Sequence, residues 1–264
     1  MTNWSEIDKL TRVWLKESRK NIIQSFATIL EIQTKANVND LVTNIDKETE
    51  QFFIENIRAN FPKHRIMGEE GFGDKFTDLN GVVWIIDPID GTMNFVHQQR
   101  NFFISIGIYD NGIGILGYLY DVVHDELYFA KAGEGAYCNG KKLPLLSEGL
   151  VENAIVGFNA QWLVSNNYMD PKKLFPLIRD VRGTRSYGSA ALEIAYVATG
   201  RLDSYISMRL APWDFAAGKI IVEELGGIVT NLQGERVNLL ETGSILVSKP
   251  GLHENIMQRY LKEQ

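Results

Sequence analysis

The stretch Trp84-Ile85-Ile86-Asp87-Pro88-Ile89-Asp90-Gly91-Thr92-Met93-Asn94-Phe95 decides how the rest of the chain is read. Together with Gly81-Val82-Val83 it opens as a short buried strand, Gly81–Ile86, rich in β-branched and aromatic residues. Pro88 cannot continue a central ladder and biases Asp87 towards extended backbone, so the strand is expected to stop at Asp87. An ionised carboxylate then stands where the strand leaves the core. Asp90 follows inside a turn that Gly91 lets close. Two carboxylates at this spacing can converge on one point, and like charges there call for a cation between them.

All-oxygen ligands favour a hard ion such as Mg²⁺ or Mn²⁺, and no Cys/His cluster suggests zinc. Beyond Gly91, Thr92-Met93-Asn94-Phe95 can open a helical turn whose free N–H groups suit a phosphate. An isolated Asp-Pro-x-Asp-Gly would read as a surface turn. Here it follows a wholly apolar strand, and Glu69-Glu70 lies shortly upstream. That context points to metal-assisted phosphate chemistry.

Composition narrows the classes. The 264 residues suffice for one large domain or two lobes sharing a core. A net charge of −6 argues against a general nucleic-acid or membrane binder, and an acidic protein handling an anionic substrate needs cations in its site. The single cysteine, Cys138, excludes an intramolecular disulfide and fits a reducing compartment. The start, Met1-Thr2-Asn3-Trp4-Ser5-Glu6, has no basic or apolar leader pattern, and no run approaches the roughly 20 apolar residues a bilayer requires. A soluble, cytoplasmic protein is expected.

Outward from the central stretch, Trp4, Ile7, Leu10, Trp14, Ile22, Phe26, Ile29 and Leu30 fall at helical spacing and predict one or two amphipathic helices. Thr43 caps a further helix through about Asn60, with Ile45, Phe52, Phe53 and Ile57 inward and Asp46 at the third position supporting the cap. Phe102–Tyr109, Ile113–Tyr120 and Glu126–Ala130 predict an antiparallel meander, and Asn139-Gly140 a type I′ hairpin. Gly133-Glu134-Gly135 lacks the third glycine of a nucleotide loop.

The second half alternates. Helices are expected over Pro171–Asp180, Gly188–Ala198, Asp214–Leu225 and Leu252–Lys262, and strands over Asp203–Ser207, Ile228–Thr230 and Ser244–Ser248. Arg179, Arg182 and Arg185 bring positive charge between two of these helices, the first two reading as solvated surface, and Asp214 by itself reads as a helix cap. The alternation predicts α/β layering in this half.

Gly68-Glu69-Glu70, Trp84–Thr92 and Pro212-Trp213-Asp214-Phe215-Ala216-Ala217-Gly218, in this order, resemble the motifs of the inositol monophosphatases, a family of magnesium-dependent, lithium-sensitive phosphatases. The resemblance runs at least from Lys35 to Gly227. It implies a mixed α+β, α/β layered sandwich with alternating α and β layers, built as one catalytic unit of two lobes, residues 1–145 carrying most metal ligands and 146–264 supplying Asp214 and the substrate pocket. By that resemblance Glu69, Asp87 and the Ile89 carbonyl hold one Mg²⁺, Asp87, Asp90 and Asp214 a second, and a third ion lies near Glu69 and Glu70. Mn²⁺ is expected to substitute and Li⁺ to inhibit.

The segment from Lys35 through Asp40-Leu41-Val42-Thr43-Asn44-Ile45-Asp46 matches the family's lysine and its Asp-Leu-Val-Thr-x-x-Asp. It implies that Asp46 pairs with Thr92 to orient the attacking water, with Lys35 near the metals. The Gly91 and Thr92 amides, with Ile89, Asp90 and Asp214, are implied to hold the phosphate. Gly188, Ser189 and Ala190 are implied to line the pocket for the rest of the substrate. Seven residues before Asp214, inositol-specific animal enzymes carry a glutamate; here Ser207 stands there, with Arg209 beyond. The expected substrate is therefore a small phosphorylated metabolite, inositol 1-phosphate first, with NADP, fructose 1,6-bisphosphate or 3′-phosphoadenosine 5′-phosphate as alternatives that suit Arg209. The resemblance further implies a homodimer. The rival class is a non-catalytic partner of transcription or RNA-processing machinery, without direct nucleic-acid contact.

Overall fold

The structure, a computed structural model, describes residues 2–27, 30–34, 41–75, 77–164 and 170–261. Lys35, the helical-stripe residue Ile29 and the expected helix end at Lys262 lie outside the described residues.

Helix α1, Trp4–Ser25, starts where Asn3 accepts the Glu6 amide and buries Ile7, Thr11, Trp14, Leu15 and Ile22 along one face. Two short strands, the exposed β1 (Ile32–Thr34) and β2 (Leu41–Thr43), which is buried at Val42 and Thr43, pair antiparallel as a ribbon that hydrophobic periodicity does not announce. Helix α2, Asn44–Asn60, begins at the expected Thr43 cap. The chain then runs through β3 (Arg65–Gly68), β4 (Val82–Asp90), α3 (Thr92–Gln98), β5 (Phe103–Asp110), β6 (Ile113–Asp121), β7 (Glu126–Lys131), β8 (Gly135–Cys138) and β9 (Lys141–Lys142). These strands form a seven-stranded sheet in the order β3-β4-β5-β6-β7-β8-β9, and β3 alone pairs parallel. At the expected hairpin, Asn139 and Gly140 both take positive φ, 47° and 77°.

The second half contributes β10 (Ile155–Phe158), α4 (Phe175–Asp180), β11 (Gly183–Arg185), α5 (Ala190–Ala198), β12 (Ser204–Leu210), α6 (Pro212–Glu224), β13 (Ile228–Thr230), β14 (Gly243–Ser248) and α7 (Leu252–Ile256). Its sheet has the order β11-β10-β12-β14-β13. Strands β10 and β11 were not expected. The first is four residues long and interrupted by Gly157; the second is an edge strand exposed at Thr184 and Arg185. The expected Pro171–Asp180 helix divides into a 3₁₀ turn, Pro171–Leu174, and α4, because Pro176 offers no N–H to an uninterrupted helix. The last helix widens into a π turn at Met257–Leu261.

Three cores hold five layers together, the middle one covering both faces of the α5–α6 layer. Val83 and Ile85 of β4 face α5 and α6, whereas Trp84 and Ile86 face α1 and α2. The far side of the second sheet packs on α4 and α7 through Val156, Phe158, Leu177, Leu246 and Ile256. The alternating sandwich expected from sequence is what the chain forms. Helix α6 lies unusually close to the first sheet. A Cβ on Gly117 would stand 2.6 Å from the Ala217 carbonyl oxygen, and one on Gly107 would meet the Ala216–Ala217 peptide at 3.0 Å. Ser105 and Tyr109 donate to the Trp213 and Ala216 carbonyls at 2.9 and 2.8 Å, tying helix to sheet.

The strand expected to stop at Asp87 runs on to Asp90, all nine residues buried. Pro88 is accommodated by a bulge: Asp87 pairs with Ser105 and Asp90 with Phe103, so β4 carries one extra residue there and the ladder needs no N–H from proline. Residues three apart on a regular strand face opposite sides. The extra residue turns Asp90 back to the side of Asp87.

Candidate active site

Asp87 and Asp90, both buried, meet Asp214 of α6, and the three offer carboxylate oxygens within 4.8 Å of one another. Each is aimed by a donor of its own. Asp87 Oδ1 accepts the Ile89 amide at 3.0 Å. Asp90 accepts the Ala191 amide at 2.8 Å, the Ala190 amide at 3.3 Å and a short hydrogen bond from the Ser189 hydroxyl. Asp214, in the first turn of α6, accepts the Ala211 amide at 2.8 Å. It is thus a cap, as its position suggested, and it also brings the second half of the chain to the cluster.

Glu69 arrives on the continuation of β3, its amide donating to the Ile86 carbonyl at 3.3 Å. The loop that carries it is gripped from α2 by a residue that sequence reasoning passed over. Glu50, fully buried, accepts the Glu70 amide at 2.7 Å and the Phe72 amide at 3.0 Å. A Cβ on Gly68 would reach to 2.5 Å of a Glu50 carboxylate oxygen, so any larger residue before Glu69 would push that carboxylate from its place. The available signal was position: Glu50 lies four residues after Asp46, on the same helical face.

Asp46 divides its two oxygens between two tasks. Oδ2 accepts the Thr43 amide at 2.9 Å and the Thr43 hydroxyl, completing a capping box. Oδ1 accepts the Thr92 hydroxyl at 2.9 Å, and the same hydroxyl lies 3.1 Å from the Ile89 carbonyl. The cap and the Thr92 pair are therefore both present. Gly91 opens α3 at φ 96°, where a Cβ would also press on Ser189 and on the Asn101 carbonyl.

These residues line an open cleft of about 190 Å³, with Glu69, Asp87, Ile89, Asp90, Asp214 and the Gly91-Thr92-Met93 turn around it and Leu41 at its edge. Ser189 and Ala190 reach it indirectly, since their polar groups bind Asp90. Arg209 is exposed, and its charge acts on Asp214. Ser207 is buried, its hydroxyl 3.3 Å from the Arg209 carbonyl across a bulge in β12. The histidines stand elsewhere: His64 accepts from Trp84, His124 pairs with Asp121 and His253 with Thr230.

Burial raises the pKa of Asp87 well above the usual carboxylate range, with Glu69, Asp90 and Asp214 adding to the rise. Burial carries Asp90 to about 6 against the pull of Ser189 and Ala191. Asp214 is raised well above the ordinary value by burial, then by Asp90 and Glu69. Asp46 is raised chiefly by burial, against the Thr43 and Thr92 hydrogen bonds. Such a cluster holds protons unless a cation replaces them. An all-oxygen donor set of this charge fits Mg²⁺.

A sequence profile of the inositol monophosphatase family matches residues 3–264. The chain is 59% identical over 261 residues to the inositol-1-monophosphatase of Bacillus subtilis (strain 168), an alignment covering 99% of this chain and 98% of that one. The crystal structure of SaIMPase-II bound to inositol monophosphate superposes with a TM-score of 0.87 at 41% identity, over 97% of this chain and 93% of that one. An IMPase/NADP phosphatase complexed with NADP and Ca²⁺ gives a TM-score of 0.90 at 33% identity, over 99% and 100% of the two chains, and has also been solved with Mg²⁺ and phosphate.

The electrostatics set a pH response for the metal-free protein. Asp87, Asp90 and Asp214 have folded pKa values above their unfolded ones, so the folded state binds more protons. Their stabilisation is complete below an unfolded carboxylate pKa of about 4 and is lost as pH rises through about 6 and beyond. Asp90 alone contributes on the order of 3 kcal/mol, or about 6–12 °C in Tm. Calorimetry in EDTA should show Tm falling between about pH 4.5 and about pH 7.5, with saturating Mg²⁺ restoring it. A flat or rising Tm in EDTA would remove the charge-crowding account.

Proposed function

The chain belongs to the inositol monophosphatase family, and we propose that its reaction is the hydrolysis of inositol 1-phosphate by direct attack of water. It is a magnesium-dependent phosphatase. The observation that carries the assignment of the site is the convergence of Asp87, Asp90 and Asp214 beside Glu69 in one cleft.

In this reading Glu69, Asp87 and the Ile89 carbonyl hold one Mg²⁺, and Asp87, Asp90 and Asp214 hold a second. A third would lie near Glu69 and Glu70, and Mn²⁺ replaces Mg²⁺. When bound, the ions neutralise the carboxylates, acidify water and stabilise charge on the phosphoryl and leaving oxygens. The remaining work falls to the chain. The Thr92 proton is committed to Asp46 or the Ile89 carbonyl, which leaves the Thr92 oxygen free to accept from the attacking water and so orient it. The Gly91 and Thr92 amides, at the open end of α3, hold phosphate oxygens. Lys35 adds positive charge from the segment before β2. Gly188, Ser189 and Ala190 border the pocket for the non-phosphate half of the substrate.

The functional unit is one catalytic body of two lobes, residues 1–145 and 146–264, with Asp214 crossing the seam. It works as a cytoplasmic homodimer on a small phosphorylated metabolite. Consistent with this, no helix among the described residues is long and apolar enough to cross a membrane. The pocket is not restricted to inositol, because Ser207 turns its hydroxyl into its own strand and Arg209 presents a free charge beside Asp214. A second phosphate, as in NADP or a bisphosphate, suits that guanidinium.

Asp87→Asn should abolish Mg²⁺-dependent phosphate release from inositol 1-phosphate while the metal-free protein stays folded, because the change removes a crowded charge. Full activity in the folded variant would sink the assignment.

Thr92→Ala and Asp46→Asn should each lower kcat by about 10²–10⁴-fold, with much smaller effects on Mg²⁺ binding. As one unit, their combined loss should fall well short of the product. Simple multiplication in a double-mutant cycle would count against the pair.

Arg209→Ala should reduce kcat/KM for NADP or a bisphosphate by about one to two decades, the worth of a charge-assisted contact of roughly 1.5–3 kcal/mol. Inositol 1-phosphate hydrolysis should be nearly unchanged. Equal effects on both substrates would remove the second-phosphate role.

A further inference from the structure

Near Asp90, but not among the residues lining the cleft, lies a further buried acid that the phosphatase chemistry leaves unused. Glu193 is in the first turn of α5 and only 3% exposed. Its Oε1 accepts the Tyr187 amide at 2.9 Å. Its Oε2 has no hydrogen-bond partner among the described residues. Space for that oxygen exists because β10 has Gly157 there, where any Cβ would collide with it. A buried acid in this setting costs stability. Burial lifts its pKa to about 7, and Asp90 adds to the rise while the Tyr187 and Gly188 amides oppose it.

What Glu193 grips is the turn that supplies the donors to Asp90. Tyr187 is held at both of its main-chain polar atoms, the amide by Glu193 and the carbonyl by the Asn94 side chain at 2.7 Å. Gly188 then takes φ 77°, with the Asn94 side chain packed where a Cβ would be. Immediately after it come the Ser189 hydroxyl and the Ala190 and Ala191 amides, all directed at Asp90. Ser189 also caps α5 through the Leu192 amide at 3.2 Å, so the turn and the helix start move together. Releasing Tyr187 would let the whole donor set drift from Asp90.

We infer that Glu193 is a positioning residue, fixing the Tyr187–Ser189 turn so that the start of α5 holds Asp90 in the orientation that binds the second cation. The inference rests on the cation reading of Asp87, Asp90 and Asp214. Partners that orient a metal ligand typically govern affinity by about 10–100-fold when removed. A purely structural acid would instead change Tm and leave metal affinity alone.

The test is Mn²⁺ binding to the metal-stripped full chain, followed by calorimetry and by the electron paramagnetic resonance signal of free Mn²⁺. Glu193→Leu should weaken one class of site by about 10–100-fold, and the Mg²⁺ concentration for half-maximal activity should rise by a similar factor with a smaller change in kcat. Glu193→Gln, whose amide oxygen still accepts from Tyr187, should bind within about threefold of the wild type. If Glu193→Leu does not fold, Glu193→Asp withdraws the acceptor by one methylene and should weaken binding where Glu193→Gln does not. Wild-type affinity in Glu193→Leu, or in both Glu193→Asp and Glu193→Gln, overturns the positioning role. Absence of Mn²⁺ binding by the wild type, or undiminished binding by Asp90→Asn, overturns the cation reading itself and is thereby told apart.

Discussion

Several carboxylates converge in one cleft, and much of the surrounding structure restrains them there. Burial in a poorly solvated place penalises each charge and like charges a few ångströms apart repel, and the raised pKa values of Asp87, Asp90 and Asp214 express first that burial and then that repulsion. A loose site would relieve it by swinging the side chains apart. This one does not, because each acid or its backbone is held by an amide. The Ile89 amide holds Asp87, α5 holds Asp90, the Ala211 amide holds Asp214, and Glu50 holds the loop of Glu69. The cluster is preorganised for a cation by hydrogen bonds that do not include the cation.

The layers explain how such bracing is possible. Helix α6 brings Asp214 from a distant part of the chain, and it approaches closely because Gly107 and Gly117 present bare backbone to Ala216 and Ala217. Ser105 and Tyr109 bond the helix carbonyls directly, so the first sheet and Asp214 form one rigid assembly. Helix α5, packed beside α6 in the same core, brings the donors of Asp90. A site shared between layers inherits the stiffness of a close-packed interior.

Much of this was legible in the sequence. The strand-turn-helix around Asp87 and Asp90, the meander after Phe102 and the Thr43 cap each rest on local periodicity or turn chemistry, and all are present. Asp46 could be read as a cap or as the partner of Thr92, and it is both, because a carboxylate has two oxygens. The misses share a cause: they depend on contacts distant in sequence. The bulge at Pro88 is defined by its register with β5, and strands β10 and β11 are too short and irregular to announce themselves. Glu50 and Glu193 carry no local signal, because the amides they accept belong to loops that fold back over them.

The bulge gives the site an unusual relation to chain length. Side-chain direction on a strand is a matter of parity, and the one extra residue between Asp87 and Asp90 sets that parity. A substitution in the neighbourhood changes the strength of an interaction by degrees. Were the same spacing paired without the bulge, one carboxylate would pass through the sheet to the α1–α2 side, with no intermediate state. The three-residue frame from acid to acid and the bulge are thus a single requirement, and together they act as an address for the cation.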